Sequence, residues 1–329
     1  MSGQRKAKAM ADSGPGVEGP GSRGTLVVAL AGEEAAAVRA LRVVEGRGHR
    51  IAWVLTGGPA PPAGSGLRVA AEASGHRVLP ATRVTDPGFA SEVREAGVDL
   101  LLNVHSLQVV APEVLEAPRL GCFNLHPGPL PEYAGLDTVS WALYRGEPEF
   151  GVTLHEMVAR IDAGRIAFRA TFPVTPDDSA FRVFARCVEE GCTLVDRLLE
   201  AASHDGEVPL ERQDLARRRV HRRGPPGSGR VDWGRTATQV RDFVRACDYG
   251  PFVSPWGHPR TLLGERELEL LAVSLTGEDA DRPPGVVRHR TGAGPEVACA
   301  DQWLRIEAVR VDGERSRAGD ALRDGVRLS

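Results

Sequence analysis

The chain has 329 residues, 42% of them hydrophobic and 26% charged, with a formal net charge of -3. That length fills more than one ordinary core, and the composition excludes a disordered chain. No apolar run reaches the ~18–20 residues that a bilayer-spanning helix needs, so no membrane partner is expected. The slight acidity runs against a dedicated nucleic-acid binder, whose phosphate contacts need an excess of Lys and Arg, though it leaves room for a local basic patch.

Residues 1–23 are Gly, Ser, Ala and charge without an apolar stretch. They lack the core of a secretory signal and read as a disordered extension, which gives a cytoplasmic expectation. From Thr25 to Leu30 the chain is short, apolar and β-branched, and Ala35 to Glu45 follows with helical spacing. A strand at 51–56, a helix at 66–74, a strand at 77–79 and a helix at 89–96 repeat the pattern, and Asp99 to Val104 reads as a fully buried strand. Buried strands alternating with helices predict an α/β fold, a Rossmann-like, doubly wound, mostly parallel sheet. After Gly121 to His126 come a proline-punctuated loop, a helix at 139–145, strands at 151–157 and 165–171, and a long helix at 179–202 capped by Asp178 or Ser179.

An Arg-rich and then Gly/Pro-rich stretch, centred on 215–230, marks a linker. Beyond it lie a helix at 237–247 and brief strands at 268–273, 285–288, 296–300 and 304–310, the pattern of a small C-terminal β-barrel. The expected organisation is therefore an extension over 1–23, a catalytic domain over 24–205, a linker over 206–230 and a barrel-like domain over 231–329. The five cysteines, Cys122, Cys187, Cys192, Cys247 and Cys299, are scattered without metal-site spacing. They read as small buried hydrophobes of a reducing compartment, and no metal site is expected.

Chemistry concentrates in Phe123 to Gly135, sequence Phe-Asn-Leu-His-Pro-Gly-Pro-Leu-Pro-Glu-Tyr-Ala-Gly. If a strand ends there, alternation puts Asn124 and His126 on one face. Pro127, Pro129 and Pro131 stiffen the loop behind them. Downstream, Ile161-Asp-Ala-Gly-Arg-Ile166 offers Asp162 on a tight turn between strands. Beside His126, that carboxylate would raise the imidazole pKa and could take a proton. An amide, an imidazole and a carboxylate suit a reaction with a developing oxyanion and a proton to move.

The combination resembles the folate-dependent formyltransferase family. The resemblance rests on Asn124 and His126, the loop Leu130-Pro-Glu-Tyr-Ala-Gly135, Gly151-Val-Thr153, and Asp162-Ala-Gly164 with Ile166, in the family's order and spacing. It covers about Thr25 to Ala202, and continues through Val231-Asp-Trp233 and Arg245 to Phe252 into the final strands.

The resemblance implies an enzyme that moves a formyl group from 10-formyltetrahydrofolate to a primary amine, with Asn124, His126 and Asp162 as the catalytic trio. Asn124 and protonated His126 would hold the oxyanion while Asp162 keeps His126 charged. It also implies a cis Leu130–Pro131 bond, and a pterin seated along His105, Ser106, Leu107, Gln108, Val109 and Val110. Gly32 and Glu33, after the first strand, and Tyr133 and Gly135 are candidates to meet the acceptor. The single Gly of that first turn disfavours a dinucleotide site.

For the acceptor, tRNA-directed members carry a basic insertion after the second strand, whereas Gly57 to Gly66 holds no positive charge. Tyr133-Ala-Gly135, Gly151 to His155 and Cys247 to Gly257 look more like peptide-synthetase formylation domains and their stand-alone relatives. A small-molecule or carrier-tethered amine of natural-product biosynthesis is therefore expected, with methionyl-tRNA possible but disfavoured. The basic residues Arg217, Arg218, Arg219, Arg222 and Arg223 fit either a solvated linker or a patch for a phosphate-bearing acceptor. Two other readings stay open. One is a formyltetrahydrofolate hydrolase, against which stands the short segment before Thr25; the other is a non-catalytic folate-binding module. The oligomeric state is not legible.

Overall fold

The computed structural model describes residues 24–57, 66–290 and 294–329. The expected N-terminal extension and most of the uncharged 57–66 loop lie outside the described residues.

The first sheet is built from β1 (Val27–Gly32), α1 (Glu34–Gly46), β2 (Arg50–Thr56), α2 (Leu67–Ala73), β3 (Val78–Pro80), α3 (Phe89–Glu95), β4 (Leu100–Val104), α4 (Pro112–Leu115) and β5 (Gly121–His126). After a two-residue strand β6 (Ala134–Gly135) come α5 (Thr138–Arg145), β7 (Glu149–Glu156), β8 (Ile166–Pro173) and the 25-residue α6 (Ala180–His204). The seven strands run in the order β3-β2-β1-β4-β5-β7-β8. Pairings from β3 through β5 are parallel, and β7 and β8 add as an antiparallel edge.

Helices cover both faces, which is why β4 is buried at every position. Period-two alternation divides the side chains. Val28, Leu30, Leu100 and Leu102 join the core under α1 and α6, while Ala29, Ala31 and Leu101 join the core under α3 and α4. Ser179 occupies the N-cap of α6 but makes no side-chain cap bond. Asp178 instead turns back to the Thr175 amide at 2.7 Å and pairs with Arg186.

Residues 206–230 run from the β8 edge of this sheet to the proline-rich loop. Glu211 exchanges backbone hydrogen bonds with Ile166 at 2.8 Å, and β9 (Val220–His221) lies parallel to β6. The segment read as a linker is therefore also a strap over the proline-rich loop.

The amphipathic α7 (Ala237–Ala246) starts with a capping box between Thr236 and Gln239. It puts Phe243 and Ala246 into the first core and Val240 and Val244 into a second. That second core belongs to an antiparallel sheet of β10 (Arg260–Leu263), β11 (Arg266–Asp279), β12 (Val287–Arg290), β13 (Gly294–Ala298), β14 (Gln302–Val311) and β15 (Glu314–Arg317). The order is β10-β11-β14-β13-β12, with β15 on β14. A short helix α8 (Ala318–Ala321) then leads to the last residues, where Leu328 bridges to Leu263 and Arg327 to Val286. The tail thus joins the two ends of the sheet, which gives the barrel-like closure. Cys122, Cys187, Cys247 and Cys299 are buried and Cys192 half-buried, all as free thiols.

Candidate active site

The site lies where β4, β5 and β7 end their pairing. Register places Asn103 of β4 opposite Asn124 of β5, and Asn124 opposite His155 of β7. The three side chains form a polar rung across the strands. Asn103 Nδ2 donates to Asn124 Oδ1 at 2.8 Å, and Asn124 Nδ2 lies 3.1 Å from His155 Nε2. Two residues on, His126 stands opposite Thr153.

Thr153 is fully buried and shapes the loop, its hydroxyl donating to Gly128 O at 2.8 Å and accepting from Leu130 N at 3.1 Å. The Leu130–Pro131 bond that follows is cis. The loop then returns Tyr133 O to within 2.6 Å of His126 Nε2. A carbonyl only accepts, so Nε2 carries a proton there and Nδ1 is the nitrogen left facing the cleft.

Asp162 sits in the β7–β8 turn with a left-handed φ of 54°. Its Oδ2 accepts from Gly135 N at 2.8 Å, and its Oδ1 lies 3.8 Å from His126 Nδ1 and 3.5 Å from His155 Nε2. The three candidate groups therefore converge, with Asn124 reaching Asp162 by way of His155 rather than directly.

Burial works to raise the Asp162 pKa. The adjacent His126 imidazole, the nearby His155 ring and the Gly135 N–H outweigh it and hold the carboxyl well below its ordinary value. For His126 the Asp162 effect has the sign expected from sequence, but burial is larger and sets the net direction. Burial pulls its pKa below the ordinary histidine value, and this outweighs Asp162 and the Tyr133 carbonyl, which push it up. At 3.8 Å the carboxylate is beyond hydrogen-bond reach of Nδ1. Burial and the neighbouring His126 take His105 down to about 4.

The other candidates divide. His105 has a left-handed φ of 61° and rests its ring 5.3 Å from that of Phe184. Ser106 O accepts from Asn103 Nδ2 at 3.1 Å, and Ser106 Oγ faces the Gln108 amide at 3.4 Å. Leu107 and Val109 are 65% and 64% exposed, whereas the Val110 side chain is buried in the core beneath α4. Gly32 serves packing, because a Cβ there would lie 2.8 Å from Val104 O. Glu33 ties down the end of β2, accepting from Thr56 Oγ1 at 3.0 Å and Gly57 N at 2.8 Å.

The Tyr133 ring is buried, stacked on His221 at 4.6 Å with its hydroxyl on Glu147, so its carbonyl is the part that reaches the site. Gly135 has φ +96°, and a Cβ would meet His221 O at 2.2 Å, which fixes glycine under the strap.

Sequence reasoning assigned no role to Asn103, Thr153 and His155. Thr153 and His155 share a face of β7 by alternation, a signal present in Gly151-Val-Thr-Leu-His155. Which residues they oppose is set by strand register, which that run alone does not fix. Among the described residues, no group of three or more His, Cys, Asp and Glu could hold a metal ion, and no helix is long and apolar enough to cross a membrane.

A doubly wound sheet ending in a polar cleft, joined to an antiparallel β-domain, is the architecture of folate-dependent formyl transfer. Residues 60–198 match the family described as Formyl transferase, and residues 225–325 match Formyl transferase, C-terminal domain. The methionyl-tRNA formyltransferase of Geobacter metallireducens is 30% identical over 300 residues, covering 87% of this chain and 93% of that protein. That of Sorangium cellulosum is 31% identical over 274 residues, covering 80% and 86%.

Among solved structures, an N-formyltransferase from Helicobacter canadensis in complex with folinic acid and dTDP-3-aminofucose aligns with a TM-score of 0.68 at 17% identity, over 86% of this chain and 99% of that one. HypX from Aquifex aeolicus in complex with tetrahydrofolic acid aligns at 0.56 and 19% identity, over 92% of this chain and 47% of that one. At such identities the structural matches speak to the fold alone. The chain belongs to the formyl transferase family, enzymes that use 10-formyltetrahydrofolate as the formyl donor.

Proposed function

We propose that this enzyme transfers the formyl group to a primary amine on a small molecule or carrier-tethered intermediate of natural-product biosynthesis, using Asn124, His126 and Asp162. The observation that carries the chemistry is the convergence of Asp162 on His126 Nδ1 and on the His155–Asn124 pair. Asn124 Nδ2 keeps one N–H for the formyl oxygen as it becomes an oxyanion. Neutral His126 takes the proton of the attacking amine on Nδ1, and Asp162 stabilises the imidazolium that results. His126 returns that proton to the folate nitrogen as its bond to the formyl carbon breaks, so formylated amine and tetrahydrofolate leave with all atoms accounted for.

The donor fits the residues beside these groups. Exposed Leu107 and Val109 and the His105–Phe184 pair give an apolar surface for a flat pterin, next to main-chain polar atoms of 105–110.

The acceptor reading rests on Gly57 to Gly66, which lacks the cations that would grip a tRNA stem. The strap adds arginines near the cleft: Arg217 pairs with Glu132 and Arg218 donates to Ile161 O at 2.8 Å, each one residue from a site residue. Such a surface suits an acceptor bearing phosphate, as in a phosphopantetheine carrier or a nucleotide sugar. The second reading, methionyl-tRNA, is favoured by the names of the sequence relatives.

The test is incubation with 10-formyltetrahydrofolate and, in parallel, methionyl-tRNA, amino-sugar nucleotides and aminoacyl carrier proteins, read by mass spectrometry. Gain of one formyl unit on a sugar or carrier amine supports the proposal. Efficient formylation of methionyl-tRNA overturns it in favour of the second reading. Formate release without an acceptor, at a rate matching transfer, would mark a hydrolase.

A further inference from the structure

The orientation of Asn124 decides whether it offers an N–H or a carbonyl to the cleft, and the polar rung settles that orientation from both ends. At one end, Ser106 O can only accept, so the Asn103 atom 3.1 Å away is its NH2 group. That same nitrogen lies 2.8 Å from Asn124, so the Asn124 atom it meets is the carbonyl oxygen. The Asn124 NH2 group is then the one turned to His155, at 3.1 Å, and its other N–H has no protein partner among the described residues.

At the far end, Glu156 O accepts from His155 Nδ1 at 2.8 Å. With the proton on Nδ1, Nε2 of neutral His155 holds a lone pair, as the Asn124 NH2 group requires. A proton on Nε2 would serve Asp162 Oδ1 at 3.5 Å but would face the Asn124 donor head-on. Every donor meets an acceptor in only one arrangement. All three residues come from adjacent strands in register, and Asn103 and His155 are buried.

We propose that Asn103 and His155 are positioning residues for formyl transfer, which lock the Asn124 carboxamide with one N–H aimed at the reacting formyl oxygen. This rests on the reading of Asn124 given above. Asn103 links the donor-side loop to that group, since its single NH2 serves both Ser106 O and Asn124. Neither residue touches the reacting atoms in this scheme; both act through Asn124.

The experiment has a structural arm and a kinetic arm, each on the full chain. In 15N NMR of histidine-labelled protein at neutral pH, His155, assigned by its loss in His155→Gln, is expected as the neutral Nδ1–H tautomer. Finding it as the Nε2–H tautomer or as imidazolium overturns the proposal.

In the kinetic arm, hydroxylamine serves as a small amine that needs no acceptor pocket, with 10-formyltetrahydrofolate as donor. Asn103→Leu is expected to lower kcat on the order of 10- to 100-fold, approaching the loss of one oxyanion donor. Donor KM should stay within about twofold. In an Asn124→Ala background Asn103→Leu should cost nothing further, as two residues acting through one group require. An unchanged kcat, or the same fold-loss in both backgrounds, overturns it. Asn103→Ser replaces Asn103→Leu if the latter lacks a native thermal transition. If instead the wild type transfers formyl and Asn124→Ala is unimpaired, the assignment of Asn124 itself has failed, whatever tautomer His155 shows.

Discussion

Gln213 holds the turn that carries Asp162: its Nε2 donates to the carbonyls of Asp162 at 3.1 Å and Gly164 at 2.6 Å. The residue lies in the strap, far from the turn in sequence. Gln213→Leu keeps the side-chain bulk and removes both bonds. Small displacements of a reacting group carry large kinetic costs, so kcat is expected to fall roughly 10- to 100-fold with little change in either KM. Steady-state kinetics with hydroxylamine as the acceptor checks this.

Asp162→Asn keeps an acceptor for Gly135 N but removes the charge that stabilises a His126 cation. A loss in kcat of about 100-fold or more is expected. The folded pKa of Asp162 lies below its ordinary 3.8, so the stability contributed by the ionised carboxylate is full above that value and is lost as pH falls through the folded pKa. Thermal melts of wild type and Asp162→Asn should therefore converge as pH drops below 3.8.

His105 is half-buried, and its pKa is moved from 6.5 to about 4. Between those values the unfolded chain binds a proton that the folded one refuses, so the site loses roughly 1.4 kcal/mol of stability per pH unit on acidification. The loss starts below pH 6.5 and levels off near 4. Asn tolerates the left-handed backbone at this position. His105→Asn should flatten that segment of the stability–pH curve in denaturant titrations.

Thr153→Val preserves shape but strips both hydrogen bonds from the loop. Gly128 O and Leu130 N lose their buried partner, and unfolding free energy should fall by about 1–3 kcal/mol. Because the same loop brings Tyr133 O to His126, activity should fall as well. Urea denaturation and kcat measured on one preparation would separate the two effects.

Much of this was legible in sequence because it depends on local pattern. β4 is an apolar run broken only by Asn103, and strands separated by helices point to the parallel pairing of a doubly wound sheet. The candidate trio was visible because Asn124, His126 and Asp162 sit in spaced motifs. What escaped depends on long-range partners. Asn103 reads as an ordinary strand interior until register sets it against Asn124. β9 forms by main-chain pairing with Ala134 and Gly135, so an Arg- and Pro-rich composition gave no sign of it. β11 extends to Asp279, past the expected end at 273, because Ser274 and Leu275 still pair with Arg305 and Leu304 and, after a register irregularity, Asp279 pairs with Gln302. Asp162 pushes the His126 pKa up as expected, but the burial that outweighs it is a property of the folded chain and is not legible in sequence.

Since Leu328 and Arg327 stitch the first and last strands of the second sheet together, clipping the final three residues would leave two naked β-edges. Such a truncated protein should self-associate through them, and a purification handle belongs at the opposite terminus.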